Sequence, residues 1–239
     1  MRKPVFEKLF FLARPAAGKS EIIHYLENLP FQERMDRYHV GKMLTIDDFP
    51  MLWTWFEEDD LLEKMGYPRL HTDMQGYFKY PYLWDVLIQR IGLEYRKLVR
   101  DVDLTGTTII VEFSRGKEHG GYTTAFQNMD PLLATHAGIV YVDVSWEESL
   151  RKNRKRFNPD KPDSILEHGL SDEKLKRLYF ETDWHELTQN SKGFINIHDM
   201  KVPYVIFDNQ EDLTSKINQE FVARLDNTMQ QLWKLYDPL

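Results

Sequence analysis

The sequence predicts an α/β domain in three layers, a five-stranded parallel sheet held between two sets of helices. Three observations predict it. Short apolar, β-branched segments alternate with segments of helical period along most of the chain. A glycine-lysine-serine turn follows the first of those strands and opens the first helix. Near the end, Leu213, Ile217, Phe221, Leu225, Met229, Leu232 and Tyr236 form one apolar stripe, as on a long helix closing against a sheet. With 239 residues, 42% of them hydrophobic, the chain can bury a substantial core within one large domain.

Residues 5–12, rich in Leu and Phe, read as the first strand. Ile22, Ile23, Leu26 and Leu29 then recur at helical spacing until Pro30 stops the run. The second strand, at 37–44, is the least regular because Gly41 and Lys42 interrupt it. Residues 45–103 carry Phe49, Trp53, Trp55, Phe56, Tyr67, Tyr77, Phe78, Tyr80, Tyr82 and Trp84, more aromatics than a plain connection needs. Such an insertion is either a satellite apolar cluster or the wall of a pocket for a flat or apolar ligand. Its second part, 83–99, reads as a helix with Leu87, Ile88, Ile91, Tyr95 and Leu98 inward.

The third strand, 107–113, and the fourth, 138–144, are compact and β-branched. Between them Asp130-Pro131 is a cap followed by proline at the first helical position, with Gly138 expected to end that helix. Ser145 and Glu148 form a capping box. Residues 151–184 read as two charged helices joined by a polar, proline-bearing segment at 158–169, and 202–207 as the fifth strand. Strand and helix in repetition imply a parallel sheet covered on both faces.

A formal net charge of -7 and a pI near 5.6 argue against a general nucleic-acid surface, which needs a basic face, but leave room for small anionic ligands. The chain has no cysteine, so disulfides, thiolate metal sites and cysteine nucleophiles are out of reach and the composition fits the cytosol. Met1-Arg2-Lys3 before an apolar stretch resembles a signal peptide, yet Glu7 and Lys8 interrupt the stretch, and a first strand explains it better. Nowhere do roughly 18 uncharged apolar residues follow one another, so no membrane span is expected. The expected partner is a small molecule, and a homodimer is left open.

The segment Ala13, Arg14, Pro15, Ala16, Ala17, Gly18, Lys19, Ser20 fits the P-loop pattern A/G-x-x-x-x-G-K-S/T. Backbone N–H groups of such a loop and of the first helical turn, as far as Glu21, wrap nucleotide phosphates. Lys19 then reaches the terminal phosphates and the Ser20 hydroxyl ligates Mg2+. Arg151, Arg154 and Arg156, with Lys152 and Lys155, make a basic cluster after the fourth strand, which is either a solvated helical face or a set of cations for a transferring phosphoryl group. The glycines of 117–121 read as a surface turn. The eight histidines show no metal spacing and are expected to be structural or solvent-facing.

On this loop, its flanks and the basic helix, the chain resembles the P-loop nucleoside and nucleotide kinases, whose lid follows the fourth strand and places arginines on the donor phosphates. The resemblance extends to Val111-Glu112-Phe113-Ser114-Arg115-Gly116, similar in place to the Glu-Arg-Ser motif of deoxynucleoside kinases, although Phe113 and Ser114 stand where that family has its arginine. It implies that Glu112 holds Mg2+ directly or through water and that Arg115 is a cation on the reacting phosphates; the alternative is a strand-end salt bridge between the two. After the second strand comes Asp47-Asp48. A carboxylate near this place in nucleoside kinases takes the proton of the acceptor hydroxyl, whereas nucleotide kinases need no such base. Either aspartate could instead cap the helix beginning near Pro50.

The resemblance spans most of the chain, with the loop as its one specific motif. It implies sheet order 2-3-1-4-5 and one domain with an acceptor-binding insertion at about 45–103 and a lid at about 151–184. ATP with Mg2+ would be the donor. Asp47, or failing it Asp48, would be the base, and Lys19, Arg115, Arg151, Arg154 and Arg156 would surround the transferring group. Asp48, Phe49, Trp53, Tyr82 and Trp84 would face a hydroxyl acceptor, nucleoside-like or another small alcohol. Residues 208–212 would wrap the adenine with backbone groups. Two alternatives stand beside this: a nucleoside monophosphate kinase in which Arg115 grips an acceptor phosphate, and a nucleotide-binding regulator with slow hydrolysis.

Overall fold

The computed structural model describes residues 4–156 and 170–236. Its strands are β1 (Lys8–Ala13), β2 (Lys42–Asp47), β3 (Thr107–Phe113), β4 (Ala137–Asp143), β5 (Phe194–Ile197) and β6 (Met200–Asp208). The helices of the first half are α1 (Lys19–Asn28), α2 (Phe31–Tyr38), α3 (Asp48–Lys64) and α4 (Leu83–Asp101). Then come α5 (Gly121–Asn128), α6 (Pro131–Ala134), α7 (Trp146–Arg156), α8 (Asp172–Tyr179), α9 (Trp184–Thr188) and α10 (Gln219–Leu235).

Period-two alternation in the strands divides the core into two layers. Phe10 and Leu12 of β1 face one side with Ile139 and Tyr141 of β4, against Ile88 and Ile91 of α4 and Phe126 of α5. Leu9, Phe11, Val140 and Val142 face the other side, against Ile22 and Leu26 of α1 and Phe221, Leu225, Met229 and Leu232 of α10. Burying one such side chain fully contributes about 1.5–3 kcal/mol, so each layer holds the sheet by many modest contributions. Trp184 is fully buried and stacked on Tyr141 with ring centroids 4.4 Å apart.

The sheet corrects the expected five strands to six, in the order β2-β3-β1-β4-β6-β5. The change lies at one edge. β5 pairs antiparallel with β6 through the two-residue turn His198-Asp199, with His198 at φ 53°, while the other neighbours pair parallel. The second strand also moves: Arg37 and Tyr38 end α2, His39 turns left-handed at φ 55°, and β2 starts only at Lys42. Gly41 is required there because a Cβ would lie 2.1 Å from the Gly106 carbonyl oxygen.

Three helix ends differ from expectation for local reasons. The closing helix starts at Gln219, since the Asn218 side chain accepts the N–H of Phe221; Leu213 sits in a separate 3-10 turn, and Ile217, at φ 42°, is 44% exposed. α6 ends at Ala134, and Gly138 lies inside β4 against Leu232. Ser145 does cap α7 by accepting the Glu148 N–H at 3.1 Å, but Glu148 turns its carboxylate to Arg151, and the Ser145 N–H goes to Gln210 Oε1. The expected linker at 158–169 lies outside the described residues. Among those described, no helix is long and apolar enough to cross a membrane.

Candidate active site

The turn from β1 into α1 is fastened from several elements at once. Tyr122 Oη of α5 donates to the Ala13 carbonyl at 3.0 Å, Ser149 Oγ of α7 to the Pro15 carbonyl at 2.9 Å, and Asn209 Nδ2, just past β6, to the Ala17 carbonyl at 2.7 Å. Arg14 sends its guanidinium outward to the carbonyls of Val144, Tyr179 and Phe180. Gly18, at φ 108°, caps α1 where no side chain fits: a Cβ would lie 2.4 Å from Thr214 Oγ1. Among the described residues, the N–H groups from Gly18 to Glu21 donate to no acceptor, so the start of α1 presents donors and a positive dipole end to an anion.

Beside these donors the parallel register brings the charged residues together. Asp47 at the end of β2 is paired with Glu112 at the end of β3. Glu112 Oε1 accepts from Ser20 Oγ at 3.3 Å and lies 3.6 Å from Lys19 Nζ, which donates to Ser114 Oγ at 2.9 Å. Asp47 caps α3 by accepting the Phe49 N–H at 3.0 Å. Burial, with the charges of Glu112 and Asp48 behind it, pushes its carboxyl up to about 7. Capping and base chemistry are therefore compatible in one residue, since the cap uses a single carboxyl oxygen.

The Ser20 hydroxyl and the Glu112 carboxylate are hard oxygen donors, as Mg2+ requires. Mg2+ commonly uses one or two carboxylates and completes its shell with phosphates and water, so these residues fit it. No group of three acidic or histidine side chains that could hold a metal occurs among the described residues.

Asp48 faces a different environment from Asp47. Its Oδ2 takes Arg115 Nη1 at 2.6 Å, and both side chains are buried. Arg115 also donates to the carbonyls of Ser114 and Trp84 and lies 5.3 Å from the Trp84 ring. The partner of Arg115 is thus Asp48, and Asp48, Arg115 and Trp84 form one cluster. Phe49, Trp53 and Phe56 run along α3 as a file of half-buried rings at 5.9 and 6.3 Å. Trp55, Phe78, Leu83 and Leu87 make a satellite cluster that Trp84 joins at its edge. Tyr82 is 57% exposed and stacks on Tyr80, outside the cluster.

The arginines of α7 lie apart from this group. Arg151 pairs with Glu148 and Asp212, Arg154 with Asp172, and Arg156 ends the helix on its exposed side. The face that α7 turns toward the loop carries Ser149 and Lys152 instead, while Asn153 exchanges hydrogen bonds with the Leu170 backbone; Lys152 Nζ lies 2.9 Å from both Thr214 Oγ1 and Asp212. Other neighbours of the loop were not placed beside it by the sequence. Ser114 next to Lys19, and Asn209 with Thr214 behind the loop, are ordinary polar residues until the topology joins them. His119, expected to be structural or solvent-facing in a surface turn, is buried beside Trp84 and Tyr179.

No protein-family pattern matches this sequence, and no characterised protein aligns with it at a meaningful level. Among solved structures the chain is similar to TT1252 from Thermus thermophilus, with 14% identity and a TM-score of 0.45 over 93% of this chain and 97% of that one. A candidate kinase from Chloroflexus aurantiacus gives 12% and 0.42 over 93% and 99%. A sugar kinase from a Janibacter species gives 11% and 0.37 over 93% and 95%. Likeness this distant transfers no activity; what the chain does is set by its own side chains.

Proposed function

We propose that this chain is a kinase that transfers the γ-phosphoryl group of ATP to the hydroxyl of a small molecule, nucleoside-like or another small alcohol. The observation that carries the reading is the place of Asp47, at the end of β2 opposite Glu112, whose carboxylate lies 3.6 Å from the Lys19 ammonium of the loop; burial pushes the Asp47 carboxyl up to about 7. A base matters only when the attacking group must lose a proton, and one poised near the working pH accepts it best.

In this reading the donors from Gly18 to Glu21 and the Lys19 ammonium hold the donor phosphates. Ser20 and Glu112 would hold Mg2+, which when bound offsets phosphate charge. Asp47 takes the proton of the acceptor hydroxyl as its oxygen forms a bond to the γ-phosphorus. The bond from that phosphorus to the bridging oxygen breaks, and ADP leaves with the electron pair. Asp48 and Arg115 neutralise each other, which suits an uncharged acceptor better than a monophosphate that would need the arginine free.

The test follows ADP release with ATP and Mg2+ over panels of nucleosides, sugars, small alcohols and nucleoside monophosphates. Asp47→Asn should lower kcat by roughly two to four orders of magnitude with little change in acceptor affinity. The sign of the pH effect follows from the raised carboxyl. Below about 7 Asp47 is protonated and cannot accept, so kcat/KM climbs with pH and levels off above 7, and Asp47→Asn loses that climb. Transfer only to monophosphates, insensitive to Asp47→Asn, would replace this reading with the nucleotide kinase. No acceptor-stimulated ADP release at all would favour the regulator.

A further inference from the structure

Beside the Asp48–Arg115 pair and Trp84 lies a buried polar group that this chemistry does not use. His119 ends a 3-10 turn, Lys117–His119, after β3, and is 5% exposed. Its Nδ1 accepts the N–H of Gly116 at 3.3 Å, and a neutral imidazole that accepts at Nδ1 carries its proton on Nε2. Burial, then the nearby Arg115 charge, holds the ring well below the usual imidazole range, so it is neutral at ordinary pH. Nε2 is buried and has no hydrogen-bond partner among the described residues. Native chains keep few such groups, because a buried donor without a partner is costly.

The surroundings point toward the acceptor. Trp84 stacks on the imidazole with centroids 3.7 Å apart, and Tyr179 stands across it at 5.0 Å and 82°. Trp84 is also the residue whose carbonyl and ring hold Arg115, so His119 lies one ring away from the Asp48–Arg115 pair. Both covering rings sit at helix ends, Trp84 in the first turn of α4 and Tyr179 at the last position of α8.

We propose that His119 binds the acceptor molecule: its Nε2–H donates to an uncharged oxygen remote from the phosphorylated hydroxyl, while Trp84 and Tyr179 cover the flat part of that molecule. Calling the ligand the phosphoryl acceptor rests on the kinase reading above; the presence of a site here does not. The ligand class is an uncharged, flat molecule bearing a carbonyl or hydroxyl oxygen, such as the base of a nucleoside. A carboxylate or phosphate is disfavoured, since it would enter an aromatic wall facing a neutral donor, with the nearest guanidinium already paired to Asp48.

The experiment uses the full chain with nitrogen-labelled histidine and five probes: adenosine, guanosine, cytidine, uridine and thymidine. The Nε2 resonance of His119 is identified by its loss in His119→Phe, which keeps the ring stack. One nucleoside should shift that resonance. In ADP release, the KM for that nucleoside should rise about tenfold in His119→Phe, with kcat within about threefold and KM for ATP unchanged, and His119→Gln should recover part of the loss. A purely structural histidine would change stability without this split. The proposal falls if no probe shifts the resonance, if a probe binds without shifting it, or if a probe is turned over with equal KM in parent and variant. A shift without any ADP release leaves the site standing and removes the kinase reading. Where His119→Phe does not fold, His119→Gln and the spectrum decide.

Discussion

On one side of the candidate site, the backbone of 13–18 is fastened by neutral donors, Tyr122, Ser149 and Asn209, each to a carbonyl. On the other side, Asp48 and Arg115 meet as a buried ion pair under the Trp84 ring. The two arrangements answer different demands. Carbonyls held by hydrogen bonds leave the N–H groups at the start of α1 free for an anion, and the loop is set before any ligand arrives. A buried pair is expensive to desolvate and expensive to break, but it ties the chain after β3 to α3 and α4. Substitutions on the first side should therefore cost activity with little stability, and on the second side stability first.

The largest expected effect belongs to the loop. Lys19→Ala removes the ammonium beside Glu112 and Ser114 and should lower kcat/KM by about a thousandfold or more, the loss typical of a group that stabilises transition-state charge. Thermal unfolding should shift by only a few degrees, since about 1 kcal/mol corresponds to roughly 2–4 °C in a chain of this size. A collapse of the melting temperature in Lys19→Ala would break the contrast, because it would make the ammonium a structural strut. Unchanged ATP binding by calorimetry together with unchanged turnover would remove the loop from the chemistry altogether.

Arg115→Ala is the complementary case. It strands the Asp48 carboxylate in a buried position and should cost about 3–5 kcal/mol, the usual penalty for half of a broken buried pair. Denaturant unfolding of Arg115→Ala, Asp48→Ala and the double variant measures this directly. The double variant should be more stable than the sum of the two single losses predicts, because no lone charge is left. Additive losses would mean that Arg115 acts on something other than Asp48.

What could be read in the sequence follows the same division. The loop is legible because its chemistry is local: Gly18, Lys19 and Ser20 are adjacent, and the flanking strand and helix are strongly periodic. Glu112 is singled out only by its likeness in position to the Glu-Arg-Ser motif; its contact with Lys19 and its register with Asp47 come from the parallel sheet. The partner of Arg115 could not be read, since Asp48 lies 67 positions away and Glu112 was the nearer carboxylate. The edge strand β5 was missed because its turn, His198-Asp199, reaches a positive φ without the Asn-Gly or Asp-Gly pair that usually announces a two-residue hairpin. α2 ran into the region taken for the second strand because Arg34 and Tyr38, four apart, face inward on a helix. His119 is buried by rings that come from α4 and α8, and nothing within its own turn records them.

The smallest effects should come from α7, and they decide whether its charged face belongs to the donor side of the comparison at all. Arg151 and Arg154 are well exposed and are paired with Glu148, Asp212 and Asp172, so their replacement removes only solvent-screened contacts. Arg151→Ala and Arg154→Ala should leave the melting temperature unchanged within error. Catalysis is a separate matter, because a guanidinium that leaves its surface partner for the transferring phosphoryl group acts only in the transition state. At least one of the two variants should then lose about tenfold in kcat with the KM for ATP little altered. Such a loss without destabilisation would assign that arginine to the phosphates and imply that α7 brings it there during turnover. Parent-like kcat in both would make the cluster a solvated helical face, and the inward residues Ser149 and Lys152 would be the part of α7 that serves the loop.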